Sequence, residues 1–501
     1  MSTKLLLWGV CDRISKALSL ALIGVLSLHC DPARATQTLN WGTCPPPQNP
    51  ALPSAGMQCA TLTVPLDYHS PSGQTLTIEV SRVQAAQPSL RRGVLIVNTG
   101  GPGNPQIDAP RLMAAAAPAS LLAVYDIVSF DPRGTNLSTP VSCGLTAQQA
   151  DQTYVTLGQP GGFTATQTFA QFVANSCAAN AGSYVPYITT ANIARDMDQI
   201  RQALGEAKIS YLGYSWGTSI GVAYDTLFPG VLDRVVLDST LNTAWEWRQA
   251  YREFGAGGAV RFPDFASYAA ANNATYGLGA TPAAVTTTYN NLISSLAATP
   301  QSFPALYPDG TLVNDSLFRE LTFLELYSDN NFPALAGLWQ ILLNGTASQT
   351  QPPPPVQSSV PVDNKAAMGI ALSCDDAAWS NNPAQYQAEL TQDIQNYPLF
   401  GALASQIWPC AFWPNQPIES VKQPSSNGLA NILMVSNIRD PAGVYSGAQA
   451  MRAAYGLRAI LVSVNQGGHD VYLFTNNTCA NNSVTAYLVG GGKAGSDFTC
   501  P

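Results

Sequence analysis

Two periods of apolar residues alternate along this chain. C-A-T-L-T-V-P-L-D-Y (Cys59 to Tyr68) and Q-T-L-T-I-E-V-S-R-V (Gln74 to Val83) are alternating, β-branched runs, the pattern of strands with one buried face. His69-Ser70-Pro71-Ser72-Gly73 separates them, so the pair predicts a β-hairpin. Further on the runs become continuous. Val94 to Val97 leads into the glycine-rich N-T-G-G-P-G, and Y-D-I-V-S-F (Tyr125 to Phe130) leads into D-P-R-G. Short apolar runs of this kind suit strands covered on both faces.

Between Ala191 and Leu204 the period lengthens. Ile193, Met197, Ile200 and Leu204 fall on one helical stripe, and Gly205 stops it. A short strand follows at Ile209 to Leu212, then Gly213-Tyr214-Ser215-Trp216-Gly217, a helix to Phe228 and a strand R-V-V-L-D-S. Strand and helix in this rhythm predict a mainly parallel α/β sheet with helices on both faces. From Leu241 to Asn427 the rhythm breaks. Helical pieces such as L-F-R-E-L-T-F-L-E-L-Y alternate there with a Pro/Gln/Ser-rich stretch, T-A-S-Q-T-Q-P-P-P-P-V-Q-S-S-V-P, expected to be an extended loop. Strand signals resume with N-I-L-M-V-S and R-A-I-L-V-S-V. The expected layout is a sheet core over 36–240 and 428–501, interrupted by a mostly helical cap over 241–427.

The N-terminus departs from both patterns. Lys4, Arg13 and Lys16 precede a short apolar run from Ala17 to Leu28, and Ala33-Arg34-Ala35 gives a small-x-small cleavage pattern. The run is too short to span a bilayer stably, so residues 1–35 are expected to be an export signal, with Cys11 and Cys30 leaving with it. His29 stands where a lipoprotein cysteine needs a small residue before it. A net charge of −8 with no Lys/Arg block argues against nucleic acid or an anionic membrane as partner. Cys44, Cys59, Cys143, Cys177, Cys374, Cys410, Cys479 and Cys500 remain, an even set that favours disulfides in an oxidising compartment. Pairing of sequential neighbours is expected, each closing a local loop. With three histidines and no C-x-x-C pair, no metal site is expected, and no cofactor.

The candidate chemistry lies at the turns. G-x-S-x-G between a strand and a helix is the pattern of a nucleophile elbow, which puts Ser215 on a sharp turn at a helix N-terminus. Serine needs a base to take its proton. His29 leaves with the signal and His69 sits at a hairpin tip, which leaves His469, in N-Q-G-G-H-D after the last strong strand. The acid that orients it is expected to be Asp440, in N-I-L-M-V-S-N-I-R-D-P; Asp238, at the end of the strand after the elbow, is the rival. Asp131 of D-P-R-G reads as a loop organiser. Two N–H donors are needed for an oxyanion: Trp216, after the nucleophile, and Gly101 in preference to Gly100 in N-T-G-G-P-G. The chain order Ser215, Asp440, His469 is that of α/β-hydrolases.

With these motifs in place, the chain resembles the secreted tripeptidyl-aminopeptidase and prolyl-aminopeptidase-like branch of the α/β-hydrolases. The resemblance runs from Trp41 to Cys500. It is carried by C-A-T-L-T-V-P-L-D-Y, N-T-G-G-P-G, F-D-P-R-G-T, G-Y-S-W-G-T, L-D-R-V-V-L-D-S, the C-D-D…W-P-C pair and the Cys479…Cys500 segment. It implies a secreted serine exopeptidase acting on peptides with a free N-terminus, releasing tripeptides or N-terminal residues, with cap carboxylates holding the substrate ammonium. Candidates for that role are Glu246, Glu325, Asp375 and Asp376. Two positions depart from the family pattern. Asn136 stands where glycine is usual, a residue that tolerates left-handed backbone, and Pro441-Ala442-Gly443-Val444 replaces the usual continuation after the acid. An esterase or lipase-like hydrolase shares the same chemistry and is the alternative. A non-catalytic α/β-hydrolase used for binding is the third reading, set against the retained serine and histidine.

Overall fold

The computed structural model describes residues 37–47, 49–52, 56–153, 158–159, 161–303, 307, 310–344, 360–490 and 495–501. The expected export signal with Cys11 and Cys30 lies outside these residues, as does most of the Pro/Gln/Ser-rich stretch.

The alternating hydrophobicity resolves into strands β1 (Gly42–Thr43), β2 (Met57–Pro65), β3 (Thr75–Val83), β4 (Gly93–Asn98), β5 (Tyr125–Phe130), β6 (Ile209–Tyr214) and β7 (Leu232–Asp238). After a small pair, β8 (Gln301–Ser302) and β9 (Leu312–Val313), come β10 (Ile432–Arg439), β11 (Ala459–Gly467) and β12 (Phe498–Cys500). Ten of these form one sheet in the order β1-β2-β3-β5-β4-β6-β7-β10-β11-β12. The first four pair antiparallel, with β2 and β3 as the expected hairpin, and from β5 onward every neighbour is parallel.

Both faces of the parallel part are covered. Val94 and Ile96 of β4 pack into one apolar cluster while Leu95 and Val97 pack into the other, and all four are buried. That is the period of two expected of a strand, with no polar face left over. Helices α1 (Thr190–Ala203) and α2 (Trp216–Leu227) contribute to the first face; α1 begins at Thr189, whose hydroxyl caps the Asn192 N–H.

Between β7 and β10 the chain is mostly helical, including α3 (Phe254–Ala271), α4 (Asp315–Glu325) and α5 (Asn364–Asp376). A third apolar cluster holds α3 and α4 around Trp339, Tyr289 and Phe400. By contrast α5, from the same stretch of chain, packs into the sheet's own cluster through Ala367, Met368 and Ile370. Helices α6 (Tyr445–Tyr455) and α7 (Thr478–Val489) complete the sheet after β10 and β11.

Four disulfides join Cys44 to Cys59, Cys143 to Cys177, Cys374 to Cys410 and Cys479 to Cys500, the sequential order. Such bonds persist in oxidising compartments. Among the described residues no helix is long and apolar enough to cross a membrane.

Candidate active site

Five loops at the carboxyl ends of β4, β6, β7, β10 and β11 meet at one edge of the sheet, where open α/β sheets bind ligands. The turn from β6 into α2 puts Ser215 at φ 51° and ψ −123°, a conformation that costs a non-glycine residue about 1–3 kcal/mol. The surroundings hold it there. Its N–H donates to the Asp238 carbonyl (2.9 Å), and its own carbonyl accepts from Thr218 N–H (2.9 Å). The flanking glycine is obligatory by contact: a Cβ on Gly217 would lie 2.7 Å from Asn98 Oδ1 and 2.8 Å from the Asn98 carbonyl oxygen.

The glycine-rich loop after β4 lies directly against this turn. At Gly100, with φ +88°, a Cβ would stand 2.8 Å from the Tyr214 carbonyl oxygen and 3.0 Å from Ser215 Cβ. The Gly100 N–H is already spent on Asn98 Oδ1 (3.0 Å). Those of Gly101 and Trp216 have no acceptor among the described residues, which leaves them available to an oxyanion. Gln106 fixes the loop. Its carbonyl oxygen accepts from Thr99 N–H (2.7 Å), its amide donates to the Gly100 carbonyl (2.9 Å), and its backbone N–H donates to Asp131 (2.7 Å). Asp131 also accepts from Ile107 N–H and Asn136 Nδ2, so it organises two loops at once. Asn136 sits at φ 46°, the left-handed region that its side chain tolerates.

His469 follows β11. Its Nδ1 donates to Asp440 Oδ1 (2.8 Å) and Oδ2 (3.0 Å), which leaves Nε2 as the basic nitrogen of the neutral ring. Asp440 is buried, and its Oδ1 also accepts from the N–H groups of Ala442 (2.9 Å) and Gly443 (2.8 Å). The unusual Pro441-Ala442-Gly443 turn thus supplies two donors to this carboxylate. The rival, Asp238, is occupied elsewhere: its two oxygens accept from Val471 N–H (2.9 Å) and Tyr472 N–H (2.7 Å), tying down the chain after His469.

Burial works against charging the His469 imidazole, but the charges of Asp440 and Asp470, with a smaller share from Asp238, outweigh it and raise its pKa to about 9. Burial also pushes the carboxyls of Asp470 and Asp238 above their usual range.

Ser215, Gly101 and His469 line one cavity of about 230 Å³. Its other walls include Pro102, Thr99, Asn104 and Thr153, with Ile370, Tyr251, Phe254, Leu324 and Tyr327 from the helical segment. Tyr251 is stacked on Trp408 at 4.4 Å, and Tyr327 lies 4.7 Å from the imidazole while its carbonyl accepts the His469 N–H (2.8 Å). No hydrogen bond joins Ser215 Oγ to His469 Nε2; such contacts often tighten only when substrate binds.

The chain aligns with the "Tripeptidyl aminopeptidase" of Streptomyces coelicolor at 31% identity over 488 residues, 93% of this chain and 87% of that one. The chain belongs to the tripeptidyl aminopeptidase family of α/β-hydrolases. Residues 397–500 match the family model described as "TAP-like protein". "Serine protease Hip1" of Mycobacterium tuberculosis is 28% identical over 99% of this chain and 97% of its own. "Carboxylesterase B" of the same species is 30% identical over 88% and 86%. Like its family, this chain is a serine hydrolase.

Against that family frame, the four acids expected to hold a substrate ammonium do not line the Ser215 cavity. Asp376 is buried at the start of α1, accepting from Thr190 N–H (2.7 Å) and from Trp247 Nε1 (3.2 Å). Asp375 accepts from Trp413 Nε1 (2.9 Å), and burial raises its pKa to about 8. Glu246 lines a separate cavity of about 40 Å³ with Asp376 and Glu419. Glu325 ends α4 half-buried, its carboxyl raised by that burial. The acid that does line the Ser215 cavity is Asp470. Its Oδ1 lies 3.8 Å from His469 Nε2, is buried, and has no hydrogen-bond partner among the described residues. The only signal for it in the sequence is its position next to His469 in G-G-H-D.

Proposed function

We propose that this serine hydrolase is an exported aminopeptidase that releases tripeptides or N-terminal residues from peptides with a free N-terminus, through an acyl-enzyme on Ser215. In this reading His469 takes the Ser215 proton and returns it to the leaving amine, Asp440 holds the imidazole in the tautomer that leaves Nε2 free, and the N–H groups of Gly101 and Trp216 receive the oxyanion. The helical stretch 241–427 acts as the cap, its Tyr251, Phe254, Leu324 and Tyr327 closing the cavity over the serine.

The observation that carries the peptide specificity is Asp470. Its Oδ1, 3.8 Å from His469 Nε2, is within reach of the ammonium of a single residue before the cleaved bond. A released tripeptide would carry its ammonium about 10 Å away. A buried carboxylate oxygen without a donor costs at least about 1–3 kcal/mol, and an ammonium group brought by the substrate would supply both the donor and the counter-charge. The full-length likeness to tripeptidyl aminopeptidases supports the same substrate class. Export is supported by the four disulfides and by the signal-like N-terminal sequence.

An esterase is the second reading. The apolar side chains in the cavity wall and the likeness to a carboxylesterase favour it. One experiment separates the two: paired chromogenic peptides, free and acetylated at the N-terminus, beside a p-nitrophenyl acyl ester, with wild-type protein and Asp470→Asn. The aminopeptidase reading expects cleavage of free peptides only, and a rise in their KM of about 30-fold in Asp470→Asn, the equivalent of about 2 kcal/mol. Turnover of the ester alone would overturn it.

A further inference from the structure

A second cavity, of about 300 Å³, shares a wall with the first. Tyr327 lines both. The second is walled by Asn330 after α4, by Gln466 and Gly467 at the end of β11, and by Phe474 and Asn476 in the loop before α7. Its position relative to the imidazole is the informative point. Gly467 is two residues before His469, and the Tyr327 carbonyl holds the His469 N–H. The lining of this cavity includes Tyr327 and Gly467 and none of the Gly101 loop, which puts it on the histidine side of the first. A triad histidine hands its proton to the departing amine, so the leaving group departs on that side.

The chemistry of the walls is equally specific. The side chains of Asn330 and Asn476 are exposed and that of Gln466 is half-buried, and none of the three amides is tied to another described residue. Each offers a carbonyl acceptor and an N–H₂ donor, the complement of a peptide backbone. Asp329, also in the wall and mostly exposed, is paired with Arg261, which offsets its charge. The Phe474 ring is half exposed beside these amides, its inner edge against Tyr214 at 5.2 Å.

We propose that this amide-lined cavity is the binding groove for the leaving part of the substrate, the peptide that follows the cleaved bond. It recognises main chain rather than side chains, so it admits peptides of varied sequence and favours long ones over short. The proposal rests on the peptidase reading and extends it to the other side of the scissile bond.

The test uses one N-terminal unit carried by three leaving groups: p-nitroaniline, a single amino acid amide, and a tetrapeptide. Wild-type protein is compared with Asn330→Ala/Gln466→Ala/Asn476→Ala, and with Asn476→Trp, which fills the groove. The expected result is a kcat/KM that rises from the single residue to the tetrapeptide in wild type. Both variants lose about 10-fold on the tetrapeptide, from three modest hydrogen bonds or their steric replacement, and less than about twofold on the p-nitroanilide. The p-nitroanilide shows that each variant is folded. Cleavage of all three substrates with no dependence on length, or equal losses on all three in both variants, overturns the groove and leaves the peptidase reading standing. No cleavage of any free-amine substrate by wild type, with the ester still turned over, overturns both.

Discussion

Two apolar cores of different character meet at the Ser215 cavity. The sheet core is aliphatic and periodic: Val94, Ile96, Ile209, Val235 and Ile432 on one face, Leu95, Val97, Leu212, Val236 and Leu433 on the other. The core around α3 and α4 is aromatic. Phe262, Phe265, Tyr289, Phe318 and Trp339 stack and meet edge to face with centroids 5.0–6.2 Å apart. A sheet fixes the loops at its strand ends to the accuracy of its hydrogen-bond ladder, and the proposed nucleophile, acid and base all sit on such loops. Aromatic helical packing lacks that ladder and tolerates more change of shape. It supplies the walls that face the substrate. The division of labour is chemistry on the sheet and recognition on the helices, with Asp470 and Tyr327 at the seam.

The sharpest way to break that comparison is to remove chemistry without touching packing. Ser215→Ala should lower kcat by about 10⁴-fold or more on peptide and ester alike, because a triad acts as a unit. The melting temperature should hold, since alanine fits the space of serine. Asp440→Asn should cost about 10⁴-fold in kcat, by leaving the imidazole in the wrong tautomer. Asp238→Asn is the control at the same sheet edge. It weakens the ties to Val471 and Tyr472, so it should act first on thermal stability. If Asp238→Asn matches Asp440→Asn in kcat and not in stability, the two acids have been assigned the wrong way round.

How much of this could be read from the sequence follows the same division. The hairpin, the strands before each loop and α1 are legible because a period of two or 3.6 is a local signal, and the proposed order Ser215, Asp440, His469 rests on a glycine-flanked serine and on residues at strand ends. α1 starts at Thr190, one residue before the expected start, because Thr189 caps it. The interrupted rhythm after β7 was legible too, but its internal division was not. Residues 364–376 pack with the sheet and residues 254–271 with the aromatic core, a choice made by tertiary contact that no local period encodes. The place of the four acids is not legible for a related reason. A carboxylate in a helical segment looks the same in sequence whether it faces the Ser215 cavity or, like Asp376, accepts from Thr190 at the start of α1 and from Trp247. Asp470 stands in the histidine motif, but nothing local shows that its Oδ1 ends up buried and unpaired.

A smaller effect separates the two cores directly. Trp339 is fully buried in the aromatic cluster, its indole N–H bonded to Thr322 Oγ1 (3.2 Å). Trp339→Ala should destabilise the protein by about 3–5 kcal/mol, measured by denaturant unfolding. Active-site labelling of Ser215 by a small fluorophosphonate should persist in the folded variant, while KM for peptides rises. Loss of labelling in parallel with KM would mean that the helical core also positions the serine, and the division would fail.

The finest test is the pH dependence. The base must be neutral to act, and the anions around His469 raise its pKa to about 9. In the free enzyme the acidic limb of kcat/KM therefore lies well above the ordinary histidine range, and activity falls as pH drops through it. Asp470→Asn removes one of those anions. The imidazolium loses part of its stabilisation, so the limb should move toward lower pH, with ester as the substrate to keep ammonium binding out of the measurement. A bound substrate ammonium should do the same by neutralising Asp470: the limb of kcat for a free-amine peptide should lie below the limb of kcat/KM for the ester, which carries no amine of its own. Coincident limbs would place the ammonium away from Asp470. The helical segment would then hold it, and the seam between the two cores would carry only the proton.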